Sequence, residues 1–157
     1  MAIKFIILHW TGVNSYNITE HIKNSYQLII DEKGNIVHGK PPGSTQSTGG
    51  MNSITYNISA AGGDIQAPLT VIQCERMFKE AAIICKKYNL TSSKVYTHHE
   101  IGELCRSGKI IQLLPNNKWL KQNIGKIDLT RIPYDVPKNT SYGDFIRNKV
   151  KWYIGKI

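Results

Sequence analysis

Short apolar runs separated by polar, breaker-rich text set the layout of this chain. Residues 3–9 are nearly continuous apolar text rich in isoleucine, which predicts a buried strand with His9 at its carboxyl end. Residues 15–23 are polar and Asn-rich, and Thr19 to Ile22 predict a loop leading into a short helix. Residues 26–30, the turn 31–34 and residues 35–38 predict a β-hairpin, with Gly34 free to take a positive φ. The following residues 41–50 are breakers and small polar residues, so a mobile surface loop is expected there, placed to form the rim of a site. Residues 54–60 predict another strand, ending before Gly62 and Gly63. Residues 69–89 predict the main helix, capped by Thr70, with Ile72, Met77, Ala81, Ile84 and Tyr88 sharing an apolar face. Residues 94–97 form a short strand leading to His98 and His99. Residues 101–124 make a long connection with one short helical turn, and a terminal helix covers 142–154. This order predicts an α/β fold: a single domain over 1–157, with a central mixed β-sheet flanked by α-helices.

Composition narrows the partners. A hydrophobic fraction of 41% in 157 residues supports one sizeable core. The formal net charge of +9 favours an anionic partner, whether nucleic acid, a membrane surface or an acidic wall polymer. The basic residues are spread from Lys4 to Lys156, which fits a solvated basic surface better than a nucleic-acid stripe. Cys74, Cys85 and Cys105 are odd in number and lack a CxxC pattern, which argues against a disulfide framework and a cysteine zinc site. Cys74 and Cys85 are expected in the buried surface of the main helix, and free thiols suggest synthesis in a reducing compartment. The first apolar run is too short for a signal peptide, and no stretch is long enough to insert stably in a membrane. The expected protein is a monomer made in the cytoplasm.

Three islands carry candidate chemistry: residues 6–11 with His9, residues 96–101 with His98 and His99, and residues 125–128 with Asp128. Singly, each has an ordinary reading as a core histidine, a strand histidine or a turn aspartate. His98 and His99 in a strand would point to opposite faces, so at most one could face a given site. Jointly, two imidazoles and one carboxylate form an open zinc set, which leaves a fourth position free.

The order of the islands resembles the zinc-dependent type 2 N-acetylmuramoyl-L-alanine amidases, relatives of peptidoglycan recognition proteins and phage amidase endolysins. Ile-Leu-His-Trp-Thr at 7–11 resembles that family's Ile-His-His-Thr island. Thr-His-His-Glu-Ile at 97–101 is similar to its Gly-His-Arg-Asp-Ile segment, and Gly-Lys-Ile-Asp at 125–128 to its Gly-Arg-Lys-x-Asp segment. The hairpin at 26–36 and the stretch from Asn52 to Gly63 also match, so the resemblance runs from about 3 to about 136, followed by a helical extension at about 140–157. It implies Zn2+ held by His9, His98 and Asp128, with Tyr26 and Lys126 as catalytic groups. It implies a peptidoglycan hydrolase that cleaves the amide between N-acetylmuramic acid and L-alanine of the stem peptide. His99 and Glu100 are expected around the ligand ring, where a carboxylate or backbone partner would orient it, and His21 and His38 on the surface.

Three departures matter. Trp10 stands where a second histidine is common, a place that is not a ligand in this family. Ser59 is the nearest match to a glutamate that the muropeptide-recycling branch uses, which shifts proton handling to Tyr26 and Lys126. The stretch from His98 to Asp128 is longer than in relatives, so 102–124 is expected to be an insertion over the site, carrying Trp119 as a substrate wall. Two other classes stay open: an inactive peptidoglycan-binding module of the same fold, which often lacks the third ligand, and a basic nucleic-acid-binding domain, which needs a stripe of aromatic and basic residues not seen here. The resemblance implies action on the bacterial cell wall after release by phage lysis or effector delivery.

Overall fold

The computed structural model describes residues 2–112, 114 and 118–157, and only the backbone of 111, 112 and 118–120. Five strands, β1 (Phe5–Trp10), β2 (Leu28–Ile30), β3 (Ile36–His38), β4 (Thr55–Ala60) and β5 (Val95–Thr97), form one mixed sheet in the order β3-β2-β4-β1-β5. β1 pairs in parallel with both β4 and β5, and β2 in parallel with β4, while β3 returns antiparallel as the second arm of the expected hairpin. Four α-helices accompany them: α1 (Glu20–Lys23), α2 (Val71–Lys87), α3 (His98–Ser107) and α4 (Tyr142–Ile154). The mixed α/β sheet is the architecture expected from the sequence.

Alternation along β1 explains the layering. Ile6 and Leu8 face one way and join Tyr56 and Ile58 from β4, Met77, Phe78 and Ala81 from α2, and Ile146 and Val150 from α4. Phe5 and Ile7 face the other way and pack with Met51, Ile101 and Ile110. On this second face the apolar residues give way, toward the carboxyl ends of the strands, to His9, Asn57 and Ser59, all buried. That polar end is where the chemistry collects.

α2 begins at the expected cap: Thr70 Oγ1 accepts from the backbone N–H of Gln73, whose side chain reaches back to the Thr70 N–H, a full capping box. Of the expected apolar face, Met77, Ala81 and Ile84 are buried beside Cys74, Phe78, Ala82 and Cys85, and Tyr88 packs against the same core; Ile72 alone departs from it. Ile72 is 60% exposed. Five residues before Met77 is about 140° around the helix, which turns Ile72 away from the core.

A second correction concerns the histidine pair. Residues 98 and 99 do not continue a strand but open α3, with Thr97 as N-cap accepting from the Glu100 N–H and Glu100 returning to the Thr97 N–H. The region expected to be a connection over 101–124 therefore begins as helix up to Ser107 and continues through 3₁₀ turns at Lys109–Gln112 and Lys118–Asn123. The Trp119 side chain lies outside the described residues. α3 is held at its start by Arg147 of α4, whose guanidinium donates to both carboxylate oxygens of Glu100 at 2.8 Å and to the Val95 carbonyl at 3.0 Å. At Gly143 a side chain would collide with that same carboxylate.

Core energetics give a direct check. Phe78 of α2 is fully buried in the core shared with the sheet and α4, so Phe78→Ala is expected to lower unfolding free energy by about 3–5 kcal/mol. Ile72→Ala on the same helix should change it by less than about 1 kcal/mol. Urea denaturation of the two variants tests the assignment of the helix face.

Candidate metal centre and its hydrogen-bond frame

Parallel pairing of β1 with β5 brings residues distant in sequence to one spot. Leu8 is level with Thr97, so His9 and His98, the next residue on each chain, emerge side by side with ring centroids 4.8 Å apart. Both imidazoles are buried, His9 at 1% and His98 at 5% exposure. Asp128 closes the group from a loop. Its Oδ2 lies 3.4 Å from His9 Nδ1 and accepts from the Trp10 backbone N–H at 3.3 Å, while its Oδ1 lies 3.7 Å from His98 Nδ1. One ligand atom from each of the three residues falls within 4.8 Å of the others. The next residue, Leu129, is fully buried at φ +64, a left-handed conformation that costs a non-glycine residue about 1–2 kcal/mol and lets the chain turn after presenting the carboxylate.

The far sides of both rings are also engaged. His9 Nε2 lies 2.8 Å from Asn57 Oδ1, and His98 Nε2 lies 2.8 Å from Asn123 Oδ1. Asn57 belongs to β4, two residues from Ser59, which is level with His9; Asn123 ends a 3₁₀ turn that packs against α3 at Gly102, where any side chain would meet the Asn123 carbonyl. Each asparagine is tied to the 41–50 loop. Thr48 Oγ1 donates to Asn57 Oδ1 at 2.9 Å, Asn123 Nδ2 donates to the Gly49 carbonyl at 2.9 Å, and Gln27 bridges Asn57 to Pro41 and Thr45. The sequence suggested a mobile surface loop there. Instead Thr45 and Thr48 are buried and hydrogen-bonded, while Gln46 and Ser47 form the rim. Neither asparagine was singled out by sequence reasoning.

The cleft in front of Asp128 has a volume of about 270 Å³, and Tyr26, Gln46, Ser47 and Lys126 line it with the three candidate ligands. Tyr26 stands with its ring 5.0 Å from that of His9. Burial pushes its phenol up to about 12, helped by the Asp128 carboxylate and partly opposed by the Ser59 hydroxyl, so it is a neutral donor at physiological pH. Ser59 itself is buried and neighbours the phenol without a well-formed hydrogen bond. Lys126 is exposed at the mouth, and its charge acts on His98. The structure thus brings Tyr26 and Lys126 to the same cleft as His9, His98 and Asp128.

His99 and Glu100 do not surround the His98 ring. His99 Nδ1 donates to the Lys126 carbonyl at 2.8 Å, which fastens the loop carrying Lys126 to α3. Glu100 serves the helix cap and Arg147 instead. Both follow from the helical rather than extended backbone after Thr97, which swings successive side chains about 100° apart.

Burial, reinforced by the neighbouring His9, pushes the His98 imidazole down to about 4 from the ordinary 6.5. Burial opposes ionisation of Asp128 too, yet the two adjacent imidazoles, whenever they are protonated, and the Trp10 backbone N–H hold its carboxyl below the usual range. In the metal-free protein the unfolded chain therefore takes up a proton at His98 near pH 6.5, whereas the folded chain resists until about pH 4. Stability is complete above pH 6.5 and is lost as pH falls through that window. Chelator-treated protein is expected to lose about 5 °C in melting temperature between pH 7 and pH 5, and His98→Gln should flatten that slope in a thermal scan.

Comparison with known proteins agrees with this geometry. The family model of N-acetylmuramoyl-L-alanine amidases matches residues 1–119, ending before Lys126 and Asp128. No curated protein sequence matches the chain at a significant level. Among solved structures, the Staphylococcus aureus hydrolase AmiA, in complex with its ligand, is similar with a TM-score of 0.60 at 12% identity, over 98% of this chain and 73% of that one. The endolysin of Thermus scotoductus MAT2119 bacteriophage Ph2119 is similar with a TM-score of 0.54 at 12% identity, over 96% and 86%. The N-acetylmuramoyl-L-alanine amidase LysC from Clostridium intestinale URNW has a TM-score of 0.53 at 20% identity, over 62% and 71%. These likenesses share the fold, and the family match covers well over half of the sequence. With its whole sheet and its first two islands inside the matched region, the chain belongs to the N-acetylmuramoyl-L-alanine amidase family.

Proposed function

We propose that His9, His98 and Asp128 hold a catalytic zinc ion in this chain, and that its reaction is hydrolysis of the amide between N-acetylmuramic acid and the L-alanine of the peptidoglycan stem. The observation that carries the reading is the convergence of two buried Nδ1 atoms and one carboxylate at the floor of an open cleft. Borderline nitrogen donors and one oxygen suit zinc, and three protein ligands leave a position free, as catalytic sites require. Bound there, zinc polarises a carbonyl and lowers the pKa of a water molecule to roughly 7.

The remaining groups divide the work by charge. Lys126 offers an exposed cation at the mouth of the cleft, suited to stabilise the negative charge that develops on the former carbonyl oxygen. Tyr26, kept protonated by burial and by Asp128, can donate a hydrogen bond to the same oxygen or orient the attacking water. Ser59 is too short and too weakly acidic to replace a general-base glutamate, so these two side chains handle the transition state. The net charge of +9 favours encounter with an anionic cell wall. Among the described residues no helix is long and apolar enough to cross a membrane. The fold shared with a phage endolysin supports a lytic role on the bacterial wall. An inactive wall-binding module is the weaker reading, because Asp128 completes the ligand set.

Purified protein is expected to carry near-stoichiometric zinc by metal analysis and to release intact stem peptides from purified peptidoglycan, as read by mass spectrometry. Cleaved glycan or cleaved stem peptide would count against the assignment, as would a His9→Ala variant that kept zinc and lysis. Lys126→Ala should retain zinc while lowering kcat about 100-fold; unchanged turnover would remove Lys126 from the mechanism.

A further inference from the structure

The two candidate ligands are supported from behind by the same device on two different elements. In each case the amide cannot be turned around. Asn123 Nδ2 donates to the Gly49 carbonyl at 2.9 Å, so a flip would set two acceptors against each other there. Asn57 Nδ2 donates to Gln27 Oε1 at 3.4 Å, an oxygen already fixed as an acceptor by the Asn57 backbone N–H at 2.7 Å, so a flip would set two acceptors against each other there as well. The oxygens therefore face the imidazoles, and a carbonyl oxygen can only accept. Each neutral ring must place its proton on Nε2 and its lone pair on Nδ1.

We infer that Asn57 and Asn123 are positioning residues that hold His9 and His98 in the Nε2–H tautomer, so that both Nδ1 lone pairs converge on the space beside Asp128. The inference rests on the zinc reading for its purpose, though not for its geometry. Choosing an amide rather than a carboxylate has a consequence. A carboxylate partner raises the basicity of a ligating imidazole and adds negative charge near the ion, whereas Asn leaves Asp128 as the one anion among the groups that act on His98. The centre then keeps a net positive charge, which preserves its pull on a carbonyl oxygen. The placement also accounts for two asparagines buried to 0% and 1% exposure, where an amide without partners would be costly.

The test reads the tautomers directly. In chelator-treated, 15N-histidine-labelled protein at pH 8, where ordinary histidines are neutral, long-range 1H–15N spectra should show both rings as Nε2–H. Asn123→Leu should convert His98 to a tautomer mixture and weaken zinc binding about 10–100-fold in a chelator competition. Asn123→Asp, which keeps the acceptor toward His98 but gives up the hydrogen bond to the Gly49 carbonyl, should restore the Nε2–H form at a cost in melting temperature. Asn57→Leu should do the same to His9; if circular dichroism shows that it does not fold, the wild-type spectrum and the Asn123 variants decide. An Nδ1–H ring in the wild type overturns the inference, as does Asn123→Leu with unaltered tautomer and zinc affinity. Wild-type protein with both rings Nε2–H but no zinc affinity would overturn the metal reading while upholding the tautomer assignment.

Discussion

The parallel registration of β1 between β4 and β5 is the constraint on which the rest depends. It sets Leu8 level with Thr97 and His9 level with Ser59, so that a histidine near the start of the chain meets one 89 positions later. Parallel strands expose their carboxyl ends together, and loops leaving those ends can build a site over them. One residue of slip would turn His9 into the apolar layer against α2 and bring Trp10 to the cleft. What opposes that slip is the cost of moving the His9 imidazole into the apolar layer, away from Asn57 and Asp128.

Burying so much polar surface beside an apolar core requires that nearly every donor and acceptor be matched. His9, Asn57, Gln27, Thr45, Thr48 and Thr55 satisfy one another in a continuous chain of hydrogen bonds. Ser59 is the exception among the described residues, a hydroxyl without a partner at the back of the cleft. Its position beside Tyr26 places that unmet capacity behind the phenol, out of reach of the cleft itself.

Much of this was legible in the sequence, for identifiable reasons. The isoleucine run of β1, the hairpin and the Thr70 cap are local signals, and local physics decides them. The three candidate ligands were readable as a group because their islands resemble a family in order and in residue type. His99 and Glu100 were misplaced, although Thr97 followed three residues later by Glu100 is a capping-box signature that predicts a helix at that point. Ile72 was misplaced because spacing by five was accepted as one face. Asn57 and Asn123 could not have been found, since an isolated asparagine carries no periodic signal and its partner becomes a neighbour only through sheet register and loop closure. The 41–50 loop looked unstructured for the same reason: its order comes from Gln27, Asn57 and Asn123, all outside it.

That loop divides its residues between two tasks. Thr45, Thr48 and the Gly49 carbonyl turn inward and are committed to the amides behind the imidazoles, and a side chain at Gly49 would press on Gln122. Gln46 and Ser47, lying between them, face the cleft. A short stretch of sequence therefore alternates between positions that cannot change without disturbing the two imidazoles and positions that can. Variation confined to Gln46 and Ser47 would reshape the entrance while leaving the floor of the cleft intact, which gives this scaffold a route to new wall preferences that does not pass through His9, His98 and Asp128.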